Sequence, residues 1–423
     1  MKLYCRWMTV CLVGLLSSSA AVAADWPQFR GPLGTGVSTE TTAPLQWDAE
    51  TNIRWRAELP APGNSSPVVS AGRVFVTVAT DEGRQRHLLC FDRESGEQLW
   101  QATAEFSGDE PTHETNPPCS STPAADGERV VVWQGSAGLF CYDYEGRELW
   151  SRDLGSFRHI WGNGSSPIIV GDTVVLNCGP GPRSFVLAVD INTGSPLWQT
   201  DEPGGATGLE DDVSEGEAPA WIGSWSTPVL ARIDGNPQIL VSMPHHVQAY
   251  DLSTGEILWR CDGLGDLVYT SVLLGDGVAV AMGGYHGPAI GFRLGGTGNV
   301  TESNRLWLND KRNPQRIGSG VVVGPHIFMA NEPGIMECIE VESGEQLWRS
   351  RLPGGRLWGS LIKVGDRFYV TNQRGDTIVM AVNPAKLEIL ATNSLGEPSN
   401  ATPAVSDGEL FLRTFEALYC IAD

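Results

Sequence analysis

One short segment, AVDINTGSPLW at residues 188–198, shows how the whole chain is built. Apolar and small residues alternate up to Asp190, a glycine turn follows at Gly194, and a Leu-Trp pair ends the segment. Glycine supplies the positive φ that a tight hairpin demands, and the aspartate can hydrogen-bond the backbone of the turn. The segment therefore predicts two antiparallel β-strands joined by a hairpin.

The same hairpin recurs along the chain at spacings of 41 to 61 residues, and Leu390 stands in the place of its last tryptophan. The tryptophans that end the other copies are Trp55, Trp100, Trp150, Trp198, Trp259, Trp307 and Trp348. A second recurring element contains a small residue, Ser or Thr, Pro and two apolar residues. Its copies begin at Ser65, Ser121, Ser165, Ser226 and Ala401, and degenerate copies without proline begin at Thr270, Ser319 and Gly359.

Each repeat predicts a four-stranded antiparallel sheet, in which the hairpin supplies the third and fourth strands. One such sheet cannot bury both of its faces alone, whereas radial stacking lets each sheet cover its neighbour. The eight repeats therefore predict an all-β, eight-bladed β-propeller. Residues 401–423 carry only the first three strands and residues 52–56 only a fourth. The two ends of the chain are therefore predicted to pair in the last blade, which removes an exposed edge.

The hairpin pattern resembles the repeat of the pyrroloquinoline-quinone (PQQ)-like propeller proteins over nearly all of the chain that follows the N-terminal two dozen residues. That family includes quinoprotein alcohol and glucose dehydrogenases, the outer-membrane assembly propeller BamB, and exported proteins of unassigned function. The resemblance implies the fold and is closest in architecture to BamB-like exported propellers. Members that use PQQ resemble one another in a vicinal Cys-Cys disulfide, a bound Ca²⁺ and a catalytic Asp. No Cys-Cys dipeptide occurs in this chain.

The N-terminus predicts export. Lys2 and Arg6 precede an apolar run from Met8 to Leu16, and Ala21-x-Ala23 offers a cleavage site before Ala24. The run is shorter than the ~20 apolar residues that span a bilayer. We therefore expect a periplasmic or extracellular protein that is soluble after signal cleavage.

Three regions follow from this reading: a signal peptide at 1–23, an extended segment at 24–51 that crosses the ring, and a single propeller domain at 52–423. The whole chain carries 29 Lys and Arg against 50 Asp and Glu, a net charge of −21. Such an acidic surface repels phosphate backbones, so no nucleic-acid partner is expected. No transmembrane segment is predicted, and a monomer is expected.

Seven cysteines follow the predicted cleavage site. Four of them, Cys90, Cys141, Cys338 and Cys420, fall at the same position of the predicted third strand. The other four repeats have a small residue at this position: Ala188, Ala249, Gly291 and Ala381. A free cysteine is a small hydrophobe, so these four are interpreted as packed thiols. Cys119 and Cys261 are the more plausible oxidation sites, and the pairing of the cysteines stays open. No metal-binding motif occurs, and no metal site is predicted.

The Ser/Thr-Pro elements also predict where a binding site lies, because the loops that precede them gather at one mouth of the channel. Two positions before the Ser or Thr, the ring reads Asn64, Ser120, Gly164, Trp225, Tyr269, Gly318, Trp358 and Asn400. The candidate ligand-binding residues at this mouth are Arg158, His159, Trp161, Trp225, Tyr269, Arg316, Arg356 and Trp358. Converging aromatics and arginines favour a ligand or peptide site for an anionic guest. The alternative is that Trp225 and Trp358 only plug the channel.

Two insertions lengthen loops on the same face. Residues 201–224 carry several acidic side chains, which could hold Ca²⁺ through their oxygens or form a solvated acidic loop without EF-hand spacing. The acidic residues are Glu202, Glu210, Asp211, Asp212, Glu215 and Glu217. Residues 107–120 carry Asp109, Glu110, His113 and Glu114.

No catalytic residue is predicted, because no Gly-x-Ser-x-Gly motif occurs and the histidines have no sequence-defined partners. The sequence favours an exported, non-catalytic binding or scaffold propeller of the cell envelope. Such a protein would engage an envelope protein or a small ligand through the loop face at the channel mouth. The alternative hypothesis is a PQQ-dependent oxidoreductase of the alcohol or sugar dehydrogenase type, with PQQ and calcium as cofactors. The favoured hypothesis requires no cofactor.

Overall fold

The computed structural model describes residues 25–212 and 220–423, so the predicted signal peptide and the acidic residues Glu215 and Glu217 lie outside the described residues. The described chain is an eight-bladed β-propeller, which confirms the predicted fold class. None of its helices is long and apolar enough to cross a membrane.

Each of the first seven blades contains four antiparallel strands, ordered from the inner strand at the channel to the outer strand. Blade 1 contains Val68–Ser70, Arg73–Thr80, Gln85–Asp92 and Gln98–Glu105, and blade 2 contains Ala124–Ala125, Arg129–Trp133, Leu139–Asp143 and Glu148–Arg152. Blade 3 contains Ile168–Val170, Thr173–Cys178, Ser184–Asp190 and Pro196–Glu202, and blade 4 contains Val229–Ile233, Asn236–Met243, His246–Asp251 and Ile257–Asp262. Blade 5 contains Leu273–Leu274, Val278–Met282, Ala289–Arg293 and Arg305–Asn309. Blade 6 contains Val321–Val323, His326–Asn331, Ile335–Glu340 and Gln346–Arg351, and blade 7 contains Ile362–Val364, Arg367–Thr371, Asp376–Ala381 and Ile389–Ser394.

The eighth blade joins the two ends of the chain. Its inner three strands are Ala404–Ser406, Glu409–Arg413 and Ala417–Ile421, and its outer strand is Ile53–Glu58. The outer strand pairs antiparallel with Ala417–Ile421, placing Trp55 opposite Cys420. The predicted pairing of the termini is therefore confirmed, and the ring has no free blade edge at its seam.

A few short elements lie outside this four-stranded pattern. The strand Gly298–Asn299 adds in parallel to the outer strand of blade 4, and Gly223–Ser224 pairs in parallel with Leu267–Val268. The described helices are the 3₁₀ turns Asp81–Gly83, Gly135–Ala137 and Glu210–Asp212 and the single α-helical turn Thr301–Asn304.

In five blades the repeated tryptophan locks the blade to the next one, whereas Trp259 donates to Gln238 of its own blade. The ring of Trp55 lies against the turn at Gly96 in blade 1, where a Cβ atom would approach the ring to 2.6 Å. Its indole N–H donates to the carbonyl oxygen of Arg93 over 2.8 Å. The tryptophans that dock on the following blade in the same way are Trp100, Trp150, Trp198 and Trp307. The Gly-turn and Trp pattern in the sequence is thus a contact between blades as well as a hairpin.

The third-strand position opposite each of these tryptophans holds a small side chain, as predicted, in every blade except the seventh. Cys90 faces Trp100, and Gly291 faces Trp307. In blade 7, Val379 faces Ala391, so the assignment of Ala381 and Leu390 to these two places was wrong. In blade 7 the larger residue of the pair, Val379, lies on the third strand, and the smaller one, Ala391, lies on the fourth.

All seven described cysteines are free and buried, Cys119 and Cys261 included. Burial raises the pKa of the Cys261 thiol to about 11 and that of Cys119 to about 12. Thiolate chemistry needs a lowered pKa and access to solvent. The two thiols singled out as oxidation sites therefore lie in surroundings that disfavour oxidation.

The N-terminal segment, residues 25–51, crosses the face of the ring opposite the loop mouth. Trp26 pairs with Val69 in blade 1, and the carbonyl of Pro27 accepts from Ala125 in blade 2. Further along, Val37 pairs with Lys363 in blade 7. Between them Arg30, with no exposed surface, donates to the carbonyl oxygens of Gly34, Thr35 and Gly320. This arrangement closes the lower end of the channel.

Candidate functional site

The Ser and Thr of the Ser/Thr-Pro elements and their degenerate copies form a ring of seven hydrogen bonds around the channel, which among the described residues is open between Thr227 in blade 4 and Ser271 in blade 5. The backbone N–H of Ser66 donates to Oγ1 of Thr122 in the next blade over 2.9 Å. The remaining bonds of the ring run Thr122 to Ser166, Ser166 to Thr227, Ser271 to Ser319, Ser319 to Ser360, Ser360 to Thr402 and Thr402 to Ser66. The hydroxyls thereby satisfy backbone N–H groups that no strand pairing reaches. These bonds join neighbouring blades along the channel wall.

A cavity of about 420 Å³ lies directly above this ring. Its lining includes all eight residues of the predicted ring, from Asn64 in blade 1 to Asn400 in blade 8. In blade 6 the bonded hydroxyl belongs to Ser319, so the position two residues before it is Ile317, which lines the cavity beside the predicted Gly318. Pockets of ~300–1,000 Å³ are typical of small-molecule sites. Phe29 of the N-terminal segment also lines the cavity. The cavity is thus open at the loop mouth and closed below.

Aromatic side chains form much of the wall. Trp225 meets Tyr269 edge-on, with ring centroids 5.2 Å apart, and Trp161 lies against His113 at 4.3 Å. The remaining aromatic residues of the lining are Phe29, Trp221, Tyr285 and Trp358. Trp221 and Tyr285 are 41% and 51% exposed, so they form the rim of the cavity.

Trp225 belongs to the framework and Trp358 does not. Trp225 is buried, and its indole N–H donates to the carbonyl oxygen of Gly162 over 2.8 Å. Within the described part of the chain, the indole N–H groups of Trp161, Trp221 and Trp358 have no hydrogen-bond partner. These three donors are available to a guest in the cavity.

The structure brings together some of the candidate residues and separates others. Trp161, Trp225, Tyr269, Arg356 and Trp358 line the cavity. The other three candidates, Arg158, His159 and Arg316, lie behind or beside the lining. The prediction of an anionic guest rested on three arginines at the mouth, Arg158, Arg316 and Arg356. Of these three, Arg356 lines the cavity and the other two do not.

Arg158 points toward the two insertions. Its guanidinium pairs with Asp211 at 3.2 Å and approaches Asp109 at 3.9 Å. Arg316 is 2% exposed and directs its guanidinium to the carbonyl oxygen of Gly287 at 3.5 Å. Burial lowers the pKa of Arg316 to about 10. Both arginines support loops around the mouth.

His159 supports the wall from behind. It is 2% exposed and meets the ring of Trp225 edge-on, with ring centroids 4.8 Å apart. Its Nδ1 accepts a hydrogen bond from the backbone N–H of Trp161 over 3.2 Å. Burial lowers the pKa of His159 to about 4, so the ring is neutral at physiological pH. A neutral His159 fixes the position of two cavity tryptophans.

Amide side chains connect the first blade, the last blade and the 107–120 insertion. Nδ2 of Asn400 donates to Oδ1 of Asn64 over 3.1 Å. Asn64 in turn donates to the carbonyl oxygen of Thr115 over 2.9 Å. Asn116 donates to the carbonyl oxygens of Trp161 and of Asn163. This network fixes the insertion across the seam of the ring.

Sequence reasoning missed several residues of the lining, among them Phe29, Trp221, Tyr285, Gln315 and Glu332. Tyr285 and Glu332 lie on hairpins between the second and third strands of blades 5 and 6. In a four-stranded antiparallel blade, such hairpins open on the same face as the loops between blades. That topological rule would have directed attention to both. Glu332 is paired with Arg356, at 3.3 Å between Nε and Oε1.

Four acidic residues of the two insertions, Asp109, Glu110, Glu202 and Asp211, are engaged in contacts within the protein. Oε1 of Glu110, which is buried, pairs with Arg86 at 2.9 Å. Glu202 accepts from the hydroxyl of Tyr250 over 2.6 Å. Within residues 25–212 and 220–423, no three or more His, Cys, Asp or Glu side chains lie close enough together to hold a metal ion.

Solved structures with the same fold include the crystal structure of BamB from Moraxella catarrhalis. The two share 15% identity with a TM-score of 0.60, over 87% of this chain and 99% of the other. Quinohemoprotein alcohol dehydrogenase from Comamonas testosteroni shares 13% identity with a TM-score of 0.66, over 95% and 81% of the two chains. At these identities the likeness concerns the fold alone.

Two curated relatives carry the name outer membrane protein assembly factor BamB. The protein from Legionella pneumophila (strain Paris) is 24% identical over 208 residues, which is 49% of this chain and 48% of that protein. The match thus spans about half the length of that relative. The protein from Burkholderia pseudomallei (strain K96243) is 20% identical over 355 residues, 73% of this chain and 82% of that protein.

The family model described as outer membrane protein assembly factor BamB matches residues 35–260, 84–350 and 245–390 in overlapping segments. These segments together cover most of the chain and nearly all of its blades. The chain therefore belongs to the family of the outer membrane protein assembly factor BamB.

Proposed function

We propose that this chain is a non-catalytic binding propeller of the cell envelope that engages a protein or a small ligand through the cavity at the channel mouth. The observation that carries the proposal is the cavity itself, which is lined by residues from all eight blades. A rigid ring with one open, aromatic concavity is suited to hold a guest in a fixed orientation. The membership in the BamB family supports a location in the envelope.

The titratable groups of the lining support binding over catalysis. Glu332 and Arg356 face each other, and Nδ1 of His113 is bonded to the hydroxyl of Thr115 at 2.8 Å. A nucleophile beside an oriented base would be the geometry of covalent catalysis. Thr115 does place a hydroxyl beside His113, but within the described residues no third group bonds the other ring nitrogen of His113 to orient it as a base.

The lining does not fit PQQ with Ca²⁺. PQQ carries three carboxylates, and Arg356 contributes the one guanidinium among the described lining residues, already paired with Glu332. The described residues offer no cluster of carboxylates or other metal ligands beside the cavity. Calorimetric titration of the purified protein with PQQ, with and without Ca²⁺, should give no binding heat. Tight binding of PQQ would favour the oxidoreductase hypothesis instead.

Photocrosslinking tests the proposal directly. A photoreactive p-benzoylphenylalanine replaces Tyr285 at the rim of the cavity in one variant and Leu99, 40% exposed on the outer strand of blade 1, in the control. In the producing cells, a specific crosslink should form from position 285 and be absent from position 99. Adding Trp358→Ala to the first variant should remove the crosslink. Equal labelling at both positions would contradict a site at the channel mouth.

A further inference from the structure

We infer that the cavity takes the end of a neutral oligosaccharide, an inference that rests on the proposed function because it assigns a guest to the same cavity. Three features carry it: aromatic faces, uncharged hydrogen-bonding groups that are still free, and a channel that ends below the cavity.

The aromatic faces suit a sugar ring. One face of a pyranose presents C–H groups, which pack on an aromatic ring, while its hydroxyls point outward to polar partners. Trp161 and Trp358 line the cavity with partly exposed rings, and Trp221 and Tyr285 stand at its rim. Aromatic side chains bury a large apolar area and keep a polar handle available. Each of these residues can therefore contact both a C–H face and a hydroxyl.

The free polar groups of the lining are uncharged. The side-chain amide of Gln315, the indole N–H groups of Trp161 and Trp358 and the hydroxyl of Tyr269 have no hydrogen-bond partner within the described residues. The charged groups of the lining are paired with each other, because Nε of Arg356 lies 3.3 Å from Oε1 of Glu332. An anionic guest would have to share the exposed guanidinium of Arg356 with this carboxylate, whereas a neutral guest loses less hydration on binding. A neutral guest with many hydroxyls matches these donors.

A peptide guest is disfavoured by the backbone of the wall. Peptides bound in extended form gain affinity from free backbone N–H and C=O groups at a sheet edge. Here seven of the eight N–H groups that precede the inner strands are bonded to hydroxyls of the next blade, as in the bond from Ser319 to Ser360 at 2.9 Å. The wall therefore presents side chains to the cavity and offers no edge to a strand.

The channel is a dead end. The ring at the base of the cavity contains Ser66, and the N-terminal segment pairs with Val69, three residues further along the inner strand of blade 1. At ~3.3 Å per residue this is about 10 Å deeper. The same offset separates Ser360 from Lys363 in blade 7. A sugar chain can enter from the mouth but cannot pass through, so its terminus must be the part that is bound.

The inference is tested by calorimetry and tryptophan fluorescence with neutral homotrisaccharides of glucose, galactose, mannose and N-acetylglucosamine, and with trigalacturonate as the anionic counterpart. At least one neutral trisaccharide should bind, and trigalacturonate should not. Trp358→Ala and Gln315→Ala should each weaken that binding by about tenfold or more. Trp348→Phe, on the outer strand of blade 6, keeps wild-type affinity and serves as the matched control.

Recognition of the chain end has its own measurement. For a longer homopolymer of the same sugar, affinity per chain should stay constant while affinity per sugar unit falls with length. Constant affinity per sugar unit would show that internal units bind and would overturn the dead-end inference.

The outcomes also separate this inference from the proposed function. A crosslink at position 285 together with binding of trigalacturonate alone would overturn the carbohydrate inference and leave the mouth as the binding site. The absence of both the crosslink and any saccharide binding would overturn both.

Discussion

The backbone N–H of Thr402 donates to Oγ of Ser66 over 3.1 Å, although 336 positions separate the two residues in the chain. This bond joins the last blade to the first in the ring of hydroxyls at the base of the cavity. Oγ of Ser66 is therefore both part of the cavity lining and part of the seam that joins blade 8 to blade 1.

Ser66→Ala should destabilise the seam. The substitution leaves the N–H of Thr402 buried without an acceptor, which costs about 1–3 kcal/mol of unfolding free energy. Urea denaturation followed by tryptophan fluorescence measures the loss. Ser151→Ala is the control, since the exposed Ser151 hydroxyl bonds only to Glu148, and it should change stability by less than ~0.5 kcal/mol. Equal effects of the two substitutions would argue against a role of the ring in stability.

Alanine substitutions at two glycines separate the contribution of the docking contact between Trp55 and its glycine turn from the cost of a left-handed residue. Gly96 and Gly72 have nearly the same φ, 72° and 76°. A Cβ at Gly96 would meet the ring of Trp55 at 2.6 Å, whereas nothing lies within 4 Å of a Cβ at Gly72. Both alanine substitutions carry the cost of a left-handed residue, about 1–2 kcal/mol. Gly96→Ala should cost ~1–3 kcal/mol more, because the ring must shift. Indistinguishable denaturation midpoints would contradict this docking contact.

Protonation of His159 should weaken the fold in acid. Burial lowers the pKa of His159 from its ordinary 6.5 to about 4 in the folded protein. Below pH 6.5 the unfolded chain takes up the proton first, so stability falls toward pH 4 and is independent of this group above 6.5. The loss contributed by His159 reaches about 3 kcal/mol at pH 4.

His159→Asn keeps an acceptor near the position of Nδ1 and removes the titrating ring. Its unfolding free energy should therefore depend less steeply on pH between 6.5 and 4 than that of the wild type. Burial also lowers the pKa of His87 and of His246, and their contributions remain in the variant. An unchanged slope in His159→Asn would show that His159 is not the acid-sensitive group.

Arg30→Met should release the N-terminal segment. The substitution removes the donors to the carbonyls of Gly34 and Gly320, and bonds to charged donors contribute about 1.5–3 kcal/mol each. The open population of residues 25–51 should rise about tenfold or more, and limited proteolysis followed by mass spectrometry reports it. Lys386→Met, at an exposed position in blade 7, should leave cleavage unchanged. Resistance of Arg30→Met to cleavage would mean that other contacts hold the segment.

The sequence predicted the parts of the molecule that repeat. The blade count, the closure by Trp55 and the positions lining the channel from Asn64 to Asn400 all depend on a register that eight copies share. The register failed in blade 7, where a small Ala391 stands in the tryptophan position and gives no signal of its own.

The site was less predictable because its side chains come from the parts that do not repeat. Arg158 and Arg316 were counted as ligand-binding groups from their place in the loops, but loop length turns one toward Asp211 and buries the other. Phe29 reaches the cavity from a segment outside the repeats. No spacing rule connects such a segment to a particular depth in the channel.

Closing the ring with the first strand also sets an order of events in biosynthesis. Ile53–Glu58 leaves the ribosome before blade 1, and its partner Ala417–Ile421 leaves it only after the seven intervening blades. Until then no third strand covers Trp55, and the eighth blade is incomplete. A nascent or truncated chain is therefore an open arc with an unpaired strand at one end, which favours association between copies. The propeller can therefore close only after Ala417–Ile421 has been made.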